Sequence, residues 1–293
     1  MTSSASAPSA PDPRAPRRVR LSRTDQIAEI RYDEITEGWC LDIDGMEQSH
    51  VDLADPRVIR HEYLARIAAV LDAMAPACSP IRVLHLGAGA LTLPRWVQAS
   101  RPGSEQTVVE IERELLDLVT TALPLPGGTV LRQMVGDARE MLGVLGEERF
   151  DAIVLDVFTG EDSPAHLACA DAYLEMLALL SESGLLLVNI GDDAGLRFWA
   201  RQVRELDDAA ATCGLPGSWT LADATLVQRR SEGNLVQVLG PGLTQAQPAS
   251  PDGTVSHASA EDQRAAWLAA GPHPAAVLDP AHTLELAAAI LER

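Results

Sequence analysis

In the stretch IRVLHLGAGALTLPRWVQAS, residues 81–100, an apolar run breaks at Gly87 and Gly89 and then gives way to a helix-like segment. Glycines at that place let the backbone approach a ligand closely. Thr92 and Pro94 have the types to cap and start the helix behind them. Glu110 ends the next apolar run, TVVEIE, where a carboxylate can accept hydrogen bonds from both hydroxyls of a ribose. Asp137, in VGDAR, ends the run after that. Its carboxylate can accept from an adenine amino group or cap the AREML helix. Gly-x-Gly, Glu and Asp on three consecutive strand ends read together as an adenosine site. A dinucleotide would seat its pyrophosphate on a glycine-rich helix start, but Thr92 stands where the third glycine of that pattern belongs. A sulfonium nucleoside has no phosphate to seat, and the shorter turn is sufficient for it.

The elements that must position these residues follow from periodicity. From Ser79-Pro80 onward, apolar strands alternate with helices: IRVLHLG, TVVEIE, TVLRQMVGD, FDAIVLDV and GLLLVNIG, with helical segments between them, among them AHLACADAYLEMLALLSES. Strands that are apolar almost throughout and separated by helices predict a parallel sheet covered on both faces. GSWTLADATLVQ and GNLVQVLG then predict a terminal hairpin without a helix between them. Upstream, AEIRYDE and GWCLDIDG predict a β-hairpin or small antiparallel sheet within residues 26–54. The sequence thus predicts a disordered tail over 1–25, a small β domain over 26–54, a doubly wound α/β domain over 55–240, a linker over 241–260 and a helical segment over 261–293.

Composition narrows the function. A formal net charge of -19 would repel a phosphate backbone, so nucleic acid is not an expected partner. The four cysteines, Cys40, Cys78, Cys169 and Cys213, form no C-x-x-C pair, so neither a metal site nor a disulfide framework is expected. No apolar run reaches spanning length and the first twenty residues lack the apolar centre of a signal peptide. The expectation is a cytoplasmic protein without a membrane partner.

The order LDIDGMEQSH, RHEYL, LGAGALTL, VEIE, GDAR, FDAIVLDVFTG resembles that of the spermidine synthase family of aminopropyltransferases, over roughly residues 26–240. The resemblance implies a class I methyltransferase-like domain behind a small β-domain. It also implies aminopropyl transfer from decarboxylated S-adenosylmethionine to a small amine, and a homodimer. Gln48 matches the glutamine of the family's L-D-G-x-x-Q signature near the nucleoside, and His61 and Glu62 match its Y-H-E stretch. By the same resemblance Glu110 holds ribose, Asp137 reads adenine, and Asp156, the first aspartate of the D-S-S-D-P loop, serves the amine as the catalytic acid-base group.

The departures from the family pattern fall on the amine side. Ala90 replaces the aspartate of G-G-G-D-G, Arg60 replaces the tyrosine of Y-H-E, and Thr159 stands where the second loop aspartate is expected, with Glu161 and Asp162 just beyond. An arginine beside a cationic amine weakens such a site. Two alternatives follow: a methyltransferase using intact S-adenosylmethionine, whose carboxylate Arg60 would favour, or a catalytically silent nucleoside-binding scaffold. His85, mid-strand, and Trp96 and Trp199, within helices, read as packing residues. Asp192 and Asp193 read as a solvated turn, Ser163-Pro164 as the cap and first turn of the next helix, and His166 as open to either role.

Overall fold

A computed structural model describes residues 14–160, 163–243 and 260–292. Its larger sheet contains β5 (Arg82–Leu86), β6 (Glu105–Glu110), β7 (Val130–Val135), β8 (Phe150–Thr159), β9 (Leu180–Asp192), β10 (Trp219–Asp223), β11 (Gly233–Leu239) and β12 (Ala275–Leu278). Their spatial order is β12-β10-β11-β9-β8-β5-β6-β7. The run from β9 to β7 is parallel, whereas β11, β10 and β12 add on antiparallel. Strand order therefore reverses between β5 and β8, the place where open α/β sheets bind ligands. This is the doubly wound sheet that the apolar strand runs predict, in the class I methyltransferase-like arrangement that the resemblance implies.

Both faces are covered, as fully apolar strands require. On one face, helices α4 (Ala138–Leu145), α5 (Ala170–Leu177), α6 (Arg197–Thr212) and α9 (Pro280–Leu291) bury Leu142, Tyr173, Trp199 and Ile290 against the sheet. On the other, α1 (Glu62–Ala73), α2 (Thr92–Ser100) and α8 (Ala260–Ala270) bring Ile67, Trp96 and Trp267 to a second core. Trp96 and Trp199 are core residues, as their helical setting predicts.

The small sheet has four antiparallel strands in sequence order, β1 (Arg17–Arg20), β2 (Ile27–Asp33), β3 (Gly38–Ile43) and β4 (Met46–Val51). Its buried face shares a core with α3 (Arg113–Ala122) and the glycine turn: Leu21, Ile30 and Leu41 pack with Ala88, Ala90 and Leu115. The β1 strand corrects the expectation of a disordered tail for the described part of residues 1–25. Arg17 pairs with Ile30 and Arg20 with Ile27. A four-residue, arginine-rich edge strand has a tail-like composition because edge strands carry charge. Residues 1–13 lie outside the described residues.

Three further expectations change. Between β10 and β11 the chain forms α7 (Ala224–Arg229), capped by the Asp223 carboxylate on the Thr225 and Leu226 amides, so the terminal pair is not a simple hairpin. The C-terminal segment supplies β12 as well as helices, pairing Thr220 with Leu278. The helix expected from Ser163-Pro164 begins only at Ala170 and ends at Leu177, and β9 has begun by Leu180. Of the expected linker, residues 244–259 lie outside the described residues, and Pro241–Leu243 form a short 3-10 turn.

Candidate functional site

A cavity of about 440 Å³ opens at the carboxyl ends of the central parallel strands, with the small sheet as its opposite wall. Gly87, Gly89, Glu110, Asp137, Asp156, Gln48 and His61 all line it. The structure thus brings these seven residues together.

The glycine turn is shaped by close approach. Gly87 has φ +100, and a Cβ there would lie 2.5 Å from the Asp156 carbonyl oxygen. Gly89 has φ +47, and its Cβ would lie 2.7 Å from Ser49 Oγ. Thr92 does not cap the helix behind them. Leu91 occupies the N-cap with φ 57, and Thr92 Oγ1 donates to the His50 carbonyl at 3.0 Å. The buried Arg95 guanidinium holds this turn down through the carbonyls of Ala90, Leu123 and Pro124. The Ala88 amide donates to Glu110 Oε2 at 3.0 Å, the Ala90 amide to Ser49 Oγ at 3.2 Å and the Leu91 amide to the Ala88 carbonyl at 2.9 Å. These donors are already paired, so a pyrophosphate finds no amide nest among them.

Glu110 is buried at the end of β6, its carboxylate held by backbone amides, among them Ala88 on one oxygen and Glu112 at 3.0 Å on the other. Burial pushes its pKa up, against the pull of those amides. Each oxygen keeps a lone pair for a ribose hydroxyl. Of the two roles its position allows, Asp137 makes the cap: Oδ1 accepts from the Arg139 and Glu140 amides at the start of α4, and Oδ2 pairs with His166 Nε2 at 2.8 Å. Burial acts to raise the Asp137 pKa, but the His166 and amide hydrogen bonds leave it below the usual carboxylate range. His166, open to either role from sequence, is therefore a partner of Asp137.

Asp156 sits in β8 where the register with β9 shifts, since Leu155 pairs with Val188 but Phe158 pairs with Ile190. Such a bulge re-aims a side chain. The carboxylate accepts from Asn189 Nδ2 at 2.8 Å and from the Tyr63 hydroxyl at 3.2 Å. Burial drives its pKa up despite these two bonds and the nearby His61. His61 lies 3.9 Å from Glu47, and burial lowers its pKa. Sequence reasoning missed Tyr63 and Asn189. Tyr63 is on the apolar side of α1, and Asn189 is one polar residue in an apolar strand, which was the available signal.

A second cavity of about 390 Å³ shares His61, Tyr63 and Asn234 with the first and carries Asp223, Glu232 and the paired Glu62 and Arg66 on its walls. Arg60, expected near the amine, is instead exposed and lines neither cavity. The turn before α1 carries it outward, while His61 and Tyr63 face in. His85 is a packing residue bonded to Gln106 at 3.0 Å. Asp192 is not a free turn residue: its carboxylate accepts from the Asp193 and Trp199 amides. Glu161 and Asp162 lie outside the described residues.

The sequence matches no protein-family model. A protein named polyamine aminopropyltransferase from Vibrio vulnificus is 32% identical over 113 residues, 38% of this chain and 38% of that one. One named eEF1A lysine and N-terminal methyltransferase, from Danio rerio, is 28% identical over 158 residues, 50% of this chain and 23% of that one. The chain thus spans well under half the length of these curated relatives. Among solved structures, a probable spermidine synthase from Corynebacterium glutamicum superposes with a TM-score of 0.75 at 25% identity, covering 92% of both chains. The likeness in sequence to a polyamine aminopropyltransferase and the fold-wide likeness in structure to a probable spermidine synthase agree, and it is these proteins that the chain resembles.

Proposed function

We propose that this chain transfers an aminopropyl group from decarboxylated S-adenosylmethionine to a small amine. The observation that carries the reading is the charge of the cavity wall. Five carboxylates line it, from Glu47, Glu110, Glu112, Asp137 and Asp156, and among the described residues no lysine or arginine does. Intact S-adenosylmethionine would bring its own carboxylate into that wall without a cation to meet it, which costs energy. The decarboxylated donor ends in an ammonium group, which the same wall attracts.

Gly87 and Gly89 leave room for the nucleoside, Glu110 accepts from its ribose and Asp137 from its adenine, while Gln48 closes the far side. The acceptor reaches the donor by way of the second cavity, where Asp223 and Glu232 suit a second ammonium group and Glu62 offsets the charge of Arg66. It arrives protonated and gives up one proton to the Asp156 carboxylate. The freed nitrogen lone pair attacks the methylene carbon next to sulfur. That carbon–sulfur bond breaks, and its electrons remain on sulfur as a neutral thioether. Burial makes Asp156 a stronger base than an exposed carboxylate. Asn189 and Tyr63 hold it in place, so the acceptor nitrogen is positioned in line with the bond that breaks.

The test is calorimetric titration with 5'-methylthioadenosine and, separately, S-adenosylhomocysteine. The first should bind at least about tenfold more tightly, a difference of about 1.4 kcal/mol. The opposite preference would replace this reading with methyl transfer, and binding of neither would leave a silent scaffold.

A further inference from the structure

Glu112 stands at the N-cap of α3, yet its side chain makes no capping bond to its own helix. The carboxylate instead reaches back 88 residues in sequence, accepting from the Thr24 amide at 2.8 Å and the Thr24 hydroxyl at 3.0 Å. The Arg23 amide donates to both of its oxygens, at 3.1 and 3.0 Å. Glu112 is 3% exposed. A buried carboxylate is costly unless charge-assisted donors surround it, and here all of those donors come from one short turn.

That turn joins β1 to β2. It closes on itself through the Leu21 amide on the Gln26 carbonyl at 2.8 Å and the Asp25 amide on the Leu21 carbonyl at 3.1 Å. Leu21, Thr24 and Gln26 on it form part of the wall of the 440 Å³ cavity. The backbone of Glu112 meanwhile donates to Glu110 Oε1 at 3.0 Å. One residue therefore ties the ribose-facing acid, through its main chain, to a cavity wall held by its side chain.

We infer that Glu112 is a positioning residue for the nucleoside: it clamps the β1–β2 turn as a strap across the cavity and fixes the strap's place relative to Glu110. The inference rests on the nucleoside-binding reading of the cavity. A strap of this kind sets donor affinity and leaves the chemistry at Asp156 unchanged once the donor is bound.

Glu112→Ala removes every side-chain acceptor for Arg23 and Thr24. It should raise the Kd for 5'-methylthioadenosine and the donor KM about tenfold, with kcat at saturating donor within about twofold of the parent. Glu112→Gln keeps one oxygen for the same donors and should recover affinity to within about threefold. In the parent chain, 5'-methylthioadenosine should slow hydrogen exchange of the amides in residues 21–26, and Glu112→Ala should abolish that protection. Should the alanine chain not fold, Thr24→Val removes only the hydroxyl donor and should weaken binding about threefold. A folded alanine variant with the parent's Kd, a valine variant with no change, or a parent without ligand-dependent protection overturns the strap. A parent that does not bind 5'-methylthioadenosine overturns the proposed function and the strap with it, whereas parent binding beside an equal alanine Kd removes the strap alone.

Discussion

Replacing Asp156 by asparagine separates the chemistry of the site from its architecture. The two contacts that hold the side chain survive the change. The asparagine oxygen can accept from Asn189 Nδ2, now at 2.8 Å, and its amide can donate to the Tyr63 oxygen, now at 3.2 Å. What is lost is one negative charge and the lone pair that takes the acceptor's proton. Loss of a positioned general base lowers rates by about 10²–10⁴-fold, and kcat should fall by that amount. The Kd for 5'-methylthioadenosine should stay within about threefold, or ~0.7 kcal/mol. The assay pairs calorimetry with chromatographic detection of 5'-methylthioadenosine released in the presence of decarboxylated donor and a series of diamines. Because the folded Asp156 pKa is raised, parent activity should be present above that pKa and be lost as pH falls through it, and the asparagine variant should lack this limb. The stability sign is opposite. A carboxyl with a raised folded pKa contributes stability that is full below its unfolded pKa and lost as pH rises through the folded one. Asp156→Asn should therefore melt no lower than the parent at pH ~7. Undiminished transfer, or nucleoside binding lost together with transfer, would refute the assignment.

Gly87→Ala places a Cβ 2.5 Å from the Asp156 carbonyl oxygen at φ +100. It should cost about 1–3 kcal/mol in thermal or urea unfolding and displace Asp156 as well as the nucleoside; an alanine variant with parental stability and Kd would contradict this. His85 has its pKa lowered from 6.5 to about 4 by burial. Over that window the unfolded chain takes up the proton first, so stability should rise with pH by about 3 kcal/mol from this group. A His85 ring titrating near 6.5 by NMR would show the burial argument to be wrong. Glu232→Gln, on the exposed wall of the second cavity, should raise the amine KM about two- to fivefold at low salt and less at high salt. A salt-independent KM equal to the parent's would remove that cavity from the acceptor's path.

Four of the five parallel strands were legible because burial on both faces forces runs such as IRVLHLG and FDAIVLDV to be apolar throughout, whereas the edge strand β7 is mostly exposed. Each run's last residues mark the ligand end, and this is why Gly87, Glu110 and Asp137 could be nominated without coordinates. Elements defined by a few residues were not legible. RRVR becomes β1 only because β2 presents an open edge, and DATLVQR becomes α7 because Asp223 caps a segment whose Thr and Val read as strand. Tyr63, Asn189 and Glu112 escaped for a related reason. A tyrosine in a helical stripe, an amide in a strand and a second acid in VEIE acquire roles only when elements 93, 33 and 88 residues away are folded against them.

The cavity wall, which carries no lysine or arginine among the described residues, also bears on turnover. On the proposed chemistry, the nucleoside enters with a positively charged sulfur and leaves as a neutral thioether, while the carboxylates of Glu47, Glu110, Glu112 and Asp137, which take no proton in the reaction, stay as they were. The attraction that captures the donor therefore lapses when its carbon–sulfur bond breaks. The charge moves to the alkylated amine, nearer the outer acids Asp223 and Glu232. Reaction and release are thus linked by charge alone, without any movement of the wall: the spent nucleoside is held by shape and hydrogen bonds only, and a fresh sulfonium out-competes it.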